Sequence, residues 1–482
     1  MADTSLGTSR PQRASRGQRK GKALTPGIRV APETPKPSYL ILFFVIALVL
    51  PNKFAVGPLD VSFYRGILMV MVLPCLAMWA GTKTGPVKGI DFLVIGFSVW
   101  TFLSIFVIHG FERWESAGIF TLETIGAYLL ARVYIRTPAQ FYFMIKCFCW
   151  VIAAMVPFAF IEAFTSRIMI SEIMGLLSRV HPDLQHEMRF YLHRVQGPFE
   201  HPILFGVFCA TMTAPALLVW SYGKPWNVRF MRLMPIGTTT FLSLSVGAYI
   251  SLIIQIALLM WAYIMRNVAA RWMILLSIFV TIYVVLDVFS NRSPIQVFIS
   301  YLTFNSSASY NRILIWQFGT AEVWRHPLFG IGFNDWDRPP WMVPSIDNFW
   351  LLTTMTYGLP SLLLLGSAFV RTIIATGNLD FSKSEMMTSY RLAYLVAIGG
   401  LLLSLCTVHV WNASYVFLIF LLGAGVWMRD YEVPEGDEDP DGAEAAPEGP
   451  KYQSARRTAP EPTNRRSEPK QARPSRYTRQ RR

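Results

Sequence analysis

The chain has 482 residues, 53% of them hydrophobic and only 15% charged. A water-soluble domain carries about 25% charged residues, so this composition excludes an ordinary soluble enzyme and makes lipid the solvent for most of the chain. The formal net charge of +14 is concentrated in two tails.

Residues 1–38 hold Arg10, Arg13, Arg16, Arg19, Lys20, Lys22, Arg29 and Lys36 against Asp3 and Glu33. This region is too long and too basic for a cleavable signal. It is expected to be a disordered cytoplasmic tail lying on anionic lipid. Basic density alone also suits nucleic acid, but the adjoining apolar runs favour the membrane, and no nucleic-acid partner is expected.

From residue 39 onward the apolar runs predict an all-α, polytopic membrane domain over 39–428. Twelve spans are expected, at 39–57, 62–80, 90–109, 116–134, 141–163, 201–221, 232–246, 248–266, 272–290, 346–370, 389–407 and 410–428. The stretch 232–266 read as one helix would be about 52 Å long, too long for a single crossing. Ser243, Ser245 and Gly247 lie at its middle and favour a break there. With both termini cytoplasmic, the break also keeps the Lys/Arg-rich short loops inside. Within the spans Arg65, Glu123, Lys146, Glu162 and Asp287 need partners, because an unpaired charge in hydrocarbon is costly. Cys75, Cys147, Cys149, Cys209 and Cys406 fall in apolar runs and read as small buried residues with no disulfide framework.

Two extracytoplasmic loops are long, at about 164–200 and 291–345. The first ends in Arg189, then Arg194-Val-Gln-Gly197-Pro-Phe-Glu200-His201-Pro202. Its breaker pairs hold irregular backbone just before a helix N-terminus, where partial positive charge favours an anion. Arg189 and Arg194 add forked donors that match phosphate oxygens. Basic residues on this face oppose the positive-inside bias, so binding is preferred to simple snorkelling towards headgroups.

The second loop contains Asn311-Arg312, Trp316, Glu322, Arg325 and then His326-Pro-Leu-Phe-Gly330-Ile-Gly332. A helix over about 310–325 is predicted, capped by Ser309 and packed through Ile313, Trp316 and Trp324. Pro327 ends it near His326. Gly330-Ile-Gly332 is not a nucleotide loop, since no strand precedes it and no Gly-Lys-Ser/Thr follows. Asp347 and Asn348 stand at the mouth of the next span. Asp347 is read either as a helix cap or as a general base near the membrane surface. The tail from 429 to 482 has an acidic block from Glu435 to Glu448 and a basic run from Lys451 to Arg482, and is expected to be disordered and cytoplasmic.

Three elements together resemble the O-antigen ligase and O-antigen polymerase superfamily of bacterial membrane glycosyltransferases. They are Arg194 to Pro202; Arg312 and Trp316 followed by His326 to Gly332; and Asp347-Asn348-Phe-Trp-Leu351 with Tyr357-Gly-Leu359 behind it. The family often has His where this chain has Asp347, and Arg where Val246 follows Ser245. Arg189 or Arg325 are the candidates to replace that missing cation. The resemblance implies a multi-pass protein of the bacterial inner membrane. It would transfer a glycan from undecaprenyl diphosphate to an acceptor hydroxyl on the extracytoplasmic face, as polymerase or ligase, without cofactor or metal.

Arg194 and Arg312 are the expected diphosphate ligands and Asp347 the expected base, with Glu200 and His201 in reserve. Arg189, Glu322, Arg325 and His326 complete the expected substrate contacts. Partners would be the lipid-linked glycan, an acceptor glycan or lipid, the membrane, and envelope polysaccharide export proteins. A secondary transporter would use a midplane ion site on broken helices; 232–266 and Glu123 allow it, but the other half shows no matching break. A non-enzymatic envelope scaffold would depend on the tails, and a flippase for the same glycan usually lacks large outer loops.

Overall fold

The computed structural model describes residues 38–433, apart from 57–58, 83, 181–187, 292–293, 295–296 and 298–305. The expectations for the N-terminal tail, for the chain beyond 433 and for parts of both long loops lie outside the described residues.

The fold is all-α and polytopic, with one two-stranded hairpin. Among the described residues nine helical stretches are long and apolar enough to cross a membrane, and one of them, Gly89–Tyr134, holds two helices. In chain order the elements are α1 (Tyr39–Leu48), β1 (Lys53–Val56), β2 (Leu59–Ser62), α2 (Phe63–Ala80), α3 (Gly89–His109), α4 (Trp114–Tyr134), α5 (Pro138–Thr165) and α6 (Met169–Gly175). There follow α7 (Pro202–Trp220), α8 (Trp226–Leu242), α9 (Val246–Ile264), α10 (Arg271–Phe289) and α11 (Ser306–Arg325). The last are α12 (Phe349–Tyr357), α13 (Leu359–Gly377), α14 (Glu385–Ser404) and α15 (Asn412–Ala424).

The expected break in 232–266 is present, with Leu244 at φ 46 between α8 and α9. The first expected span is shorter than the apolar run implies. Helix α1 ends at Leu48, because Pro51 disfavours helical backbone before it, and Lys53–Val56 pairs with Leu59–Ser62 as a hairpin. Asn52 pins the turn by donating to Met174 O and Ser178 Oγ, both at 2.8 Å. The helix predicted over 310–325 starts earlier, at Ser306. Of its expected contacts Trp316 packs inward, but Trp324 is 73% exposed, and Leu314, Ile315 and Val323 make the core instead. They meet Trp336, Met342, Ile346, Leu351 and Met355, so the second long loop has a small core of its own.

Helix α4 runs through the centre, packed by α2, α3 and α15. Small residues let it in: a Cβ on Gly423 would lie 2.6 Å from Tyr128 O. At the periphery α10 has no buried residue, as expected of a helix whose neighbours are acyl chains. Four cysteines are buried as expected, whereas Cys406 is exposed at the end of α14.

Several charges within the bundle are paired. Glu123 accepts from Arg65 Nε at 2.8 Å and Tyr64 Oη at 3.0 Å, and Arg65 also donates to Asn412 Oδ1 at 2.9 Å. Arg132 is buried in the last turn of α4, donating to Thr84 O and Pro86 O beside Asp91.

A tight chain crossing joins the second long loop to the bundle. Ile331 N and Gly332 N donate to Met355 O and Thr356 O at 2.8 and 3.0 Å, and Leu359 N donates to Pro327 O at 2.8 Å. Between α12 and α13, Gly358 has φ 81 and ψ 170, a region essentially reserved for glycine. A Cβ there would lie 1.9 Å from Leu328 O. Gly358→Ala is therefore expected to cost at least about 1–3 kcal/mol, read as a lower unfolding temperature in detergent, while Gly366→Ala, which meets nothing within 4 Å, leaves that temperature unchanged.

Candidate active site

A cavity of about 1040 Å³ opens at the end of the bundle where both long loops return. That is the upper end of the size range for ligand pockets. Its wall includes Arg189, Arg194 and His201 from the first loop, Ser245 to Gly247 from the α8–α9 break, Arg312 from α11, Gly332 to Trp336, Asp347, and His409 with Trp411.

Each charged group is held by backbone geometry that the local sequence dictates. The turn after Arg194 needs a left-handed residue, supplied by Gly197 at φ 55. It is clamped by Glu162 of α5, which accepts from Gln196 N at 2.7 Å and Gly197 N at 3.0 Å. His193 N donates to Ala163 O and Val195 N to Leu242 O, so Arg194 is anchored on both sides to rigid helices. The role of Glu162 is invisible in the sequence, where it is one acid in an apolar run 32 residues before Arg194.

Three helix N-termini border the cavity. His201 caps α7, its Nδ1 accepting from Ile203 N at 3.1 Å. Ser245 precedes α9, and its buried Oγ has no hydrogen-bond partner among the described residues. Asn348 caps α12, its Oδ1 accepting from Leu351 N at 3.0 Å. The cap is thus Asn348 and not Asp347, which leaves the Asp347 carboxylate on the cavity wall. Helix N-termini carry partial positive charge and free N–H groups, so this wall suits an anion. Arg189, whose Nη1 donates to Leu244 O at 2.8 Å, places a cation beside the position where Val246 supplies none.

Burial raises the carboxyl pKa of Asp347 above its ordinary value, while the nearby guanidinium groups of Arg312 and Arg194 pull it back. Burial lowers the pKa of Arg312, and Asp347 opposes that shift while Arg189 adds to it. These couplings place the Asp347, Arg312 and Arg194 charges in one electrostatic neighbourhood.

Other expected contacts lie elsewhere. Glu200 is not on this wall; it accepts from Lys53 Nζ at 3.2 Å, from Asn412 Nδ2 at 2.7 Å and from Trp411 Nε1, and so fixes the loop before α15. A carboxylate so occupied is a poor base. Glu322, Arg325 and His326 form a separate cluster: Arg325 pairs with Asp337 at 2.6 Å and with the buried Glu322 at 3.2 Å, and His326 lies 3.5 Å from Glu322. Arg325 therefore does not replace the missing cation.

His409 was not foreseeable from motif or periodicity, being one histidine in the short gap between α14 and α15. Its ring stacks between Phe349 and Trp411 at interplanar angles of 17° and 22°. Burial pushes its pKa down to about 4, so it faces the cavity as a neutral imidazole. Among the described residues no group of three or more His, Cys, Asp or Glu is placed to hold a metal ion.

Fold and cavity define a polytopic membrane protein with an arginine-lined chamber at one end of its helical bundle. Residues 233–366 match the family model described as O-antigen ligase. That match supports the resemblance to the O-antigen ligase and polymerase superfamily, and with it ligase- or polymerase-type glycosyl transfer as the general activity. It covers Arg312 and Asp347, while Arg189, Arg194 and His201 lie before it. No curated protein matches the chain.

Glu162→Ala would leave two buried N–H groups without an acceptor, at about 1–3 kcal/mol each. The expected result is a lower unfolding temperature together with loss of transfer, whereas Asp287→Asn, on the lipid-facing helix α10, changes neither.

Proposed function

We propose that the protein transfers a glycan from an undecaprenyl diphosphate carrier to an acceptor hydroxyl at the extracytoplasmic face of the bacterial inner membrane. The observation that carries this reading is the convergence of Arg194, Arg312 and Asp347, from separate chain segments, on one cavity ringed by helix N-termini.

In the proposed reaction the acceptor oxygen attacks the anomeric carbon of the donor glycan. The new C–O bond forms as the bond to the diphosphate oxygen breaks, and the electron pair leaves with the diphosphate. Asp347 takes the hydroxyl proton; burial raises the proton affinity of its carboxylate, while the neighbouring Arg312 and Arg194 guanidinium groups favour its ionised form. Arg194 and Arg312 stabilise the charge that develops on the leaving diphosphate, and Arg189 and the three helix ends add to the field. Guanidinium groups supply this stabilisation without a metal. Phe333, exposed on the cavity wall, offers a flat apolar face to a sugar ring.

Whether the acceptor is a second carrier-linked repeat or another glycolipid is read from a deletion strain: single repeats accumulate without a polymerase, and free long chains without a ligase. Proteoliposomes that take up substrate without joining glycans would favour a transporter.

In a transfer assay with lipid-diphosphate donor, Arg312→Ala is expected to lower the rate about 10²–10³-fold with the protein still inserted. Arg312→Lys should recover little, because an ammonium lacks the forked geometry; wild-type rates in both variants would refute the role. Asp347→Asn is expected to cost about 10²–10⁴-fold. The base must be ionised and its pKa is raised in the folded protein. Wild-type activity should therefore fall as pH drops through a midpoint above the ordinary aspartate value of 3.8, and a rate flat down to that pH would remove Asp347 as base.

A further inference from the structure

Helix α3 reaches from the active-site cavity, where His109 accepts from Phe333 N at 2.8 Å, to the opposite end of the bundle, where Gly89 begins it. At that far end a groove of about 720 Å³ is lined by Lys88, Gly89, Arg371 and Arg429 at its base. Leu93, Val370, Ile374 and Ala375 line it above.

The charges at its base do not cancel. Asp91 accepts from Tyr128 Oη at 2.5 Å, Trp79 Nε1 at 3.2 Å and Lys88 N at 2.7 Å, and lies 3.6 Å from Arg132 Nε. Asp430 pairs with Lys88 and lies 3.9 Å from Arg132. Both carboxylates thus have cations of their own. Arg371 and Arg429 have no carboxylate within ion-pair distance among the described residues, and the buried Nε of Arg429 has no acceptor among them.

The Arg371 guanidinium also packs directly on the first residue of α3: a Cβ on Gly89 would lie 2.7 Å from its Cζ. Arg371 therefore sits against a helix N-terminus, with Arg429 lining the same groove. An anion shared between the two guanidinium groups would offset their mutual repulsion. The walls above point to the kind of anion, since Val370 and Ile374, 55% and 57% exposed, present apolar surface that suits an acyl chain.

We infer that this groove binds the phosphate of an anionic phospholipid from the leaflet opposite the active-site cavity, with its acyl chain along α3 and α13. The acidic block that begins at Glu435 is the other candidate anion in the sequence, but its apolar side chains are only alanine and proline, too short to fill the upper groove.

The test uses the full-length protein in detergent micelles, with bound lipid counted by native mass spectrometry. Phosphatidylglycerol is expected to be retained at least about tenfold more tightly than phosphatidylcholine of the same chain length. Arg371→Gln with Arg429→Gln should erase that preference. Arg371→Gln alone should weaken it several-fold; this side chain is exposed, so its loss leaves no buried group unpaired. Equal retention by wild type and variants would overturn the proposal. So would displacement of the lipid by millimolar inorganic phosphate, which would mark a free-anion site, or tenfold tighter binding after deletion of 434–482, which would mark the acidic block as occupant.

Discussion

Concentrating like charge in a cavity at a membrane face is expensive, and most of the loop architecture can be understood as meeting that cost. Arg189, Arg194 and Arg312 repel one another, and three helix N-termini add partial positive charge. Left flexible, such side chains would spread into solvent. They are held by the fold around them: the Arg194 backbone by the Glu162 clamp, the Arg189 side chain by Leu244 O, and the Arg312 helix by the small core of the second loop. The positive field is then in place before an anion arrives, which is how preorganised electrostatics lowers a barrier.

The bilayer sorts the carboxylates by role. Glu123 neutralises Arg65 within the bundle, Glu162 binds backbone, and Glu200 ties Lys53 to the loop before α15. Each is satisfied and structural. Asp335 is paired with Arg338 at the cavity rim. Asp347 is left on the cavity wall, because Asn348 takes the capping position.

Much of the fold was legible because hydropathy over about twenty residues is a direct physical requirement of the bilayer. The break at Ser243–Ser245 followed from length and charge bias together. The hairpin after α1 was not legible: Phe54-Ala-Val56 prolongs an apolar run, and only pairing with Leu59–Ser62 shows that it leaves the helix. The loop arginines Arg189, Arg194 and Arg312 were readable as a group and line one cavity, whereas the placement of the acids was not readable. Glu200 adjoins His201 in sequence yet faces another way, and Glu322, Arg325 and His326 satisfy one another. His409 comes from a gap between two spans and is brought in by Phe349 N, which donates to Leu405 O and Val408 O. Such long-range placement has no local pattern.

The most direct test is a double-mutant cycle on donor affinity, with Arg194→Ala, Arg312→Ala and the pair measured against a lipid diphosphate lacking an acceptor. If both guanidinium groups grip one diphosphate, the losses are coupled, and the pair loses far less than the product of the two single losses. Independent losses that simply multiply, or affinities equal to wild type, would contradict the shared cavity on which this account stands.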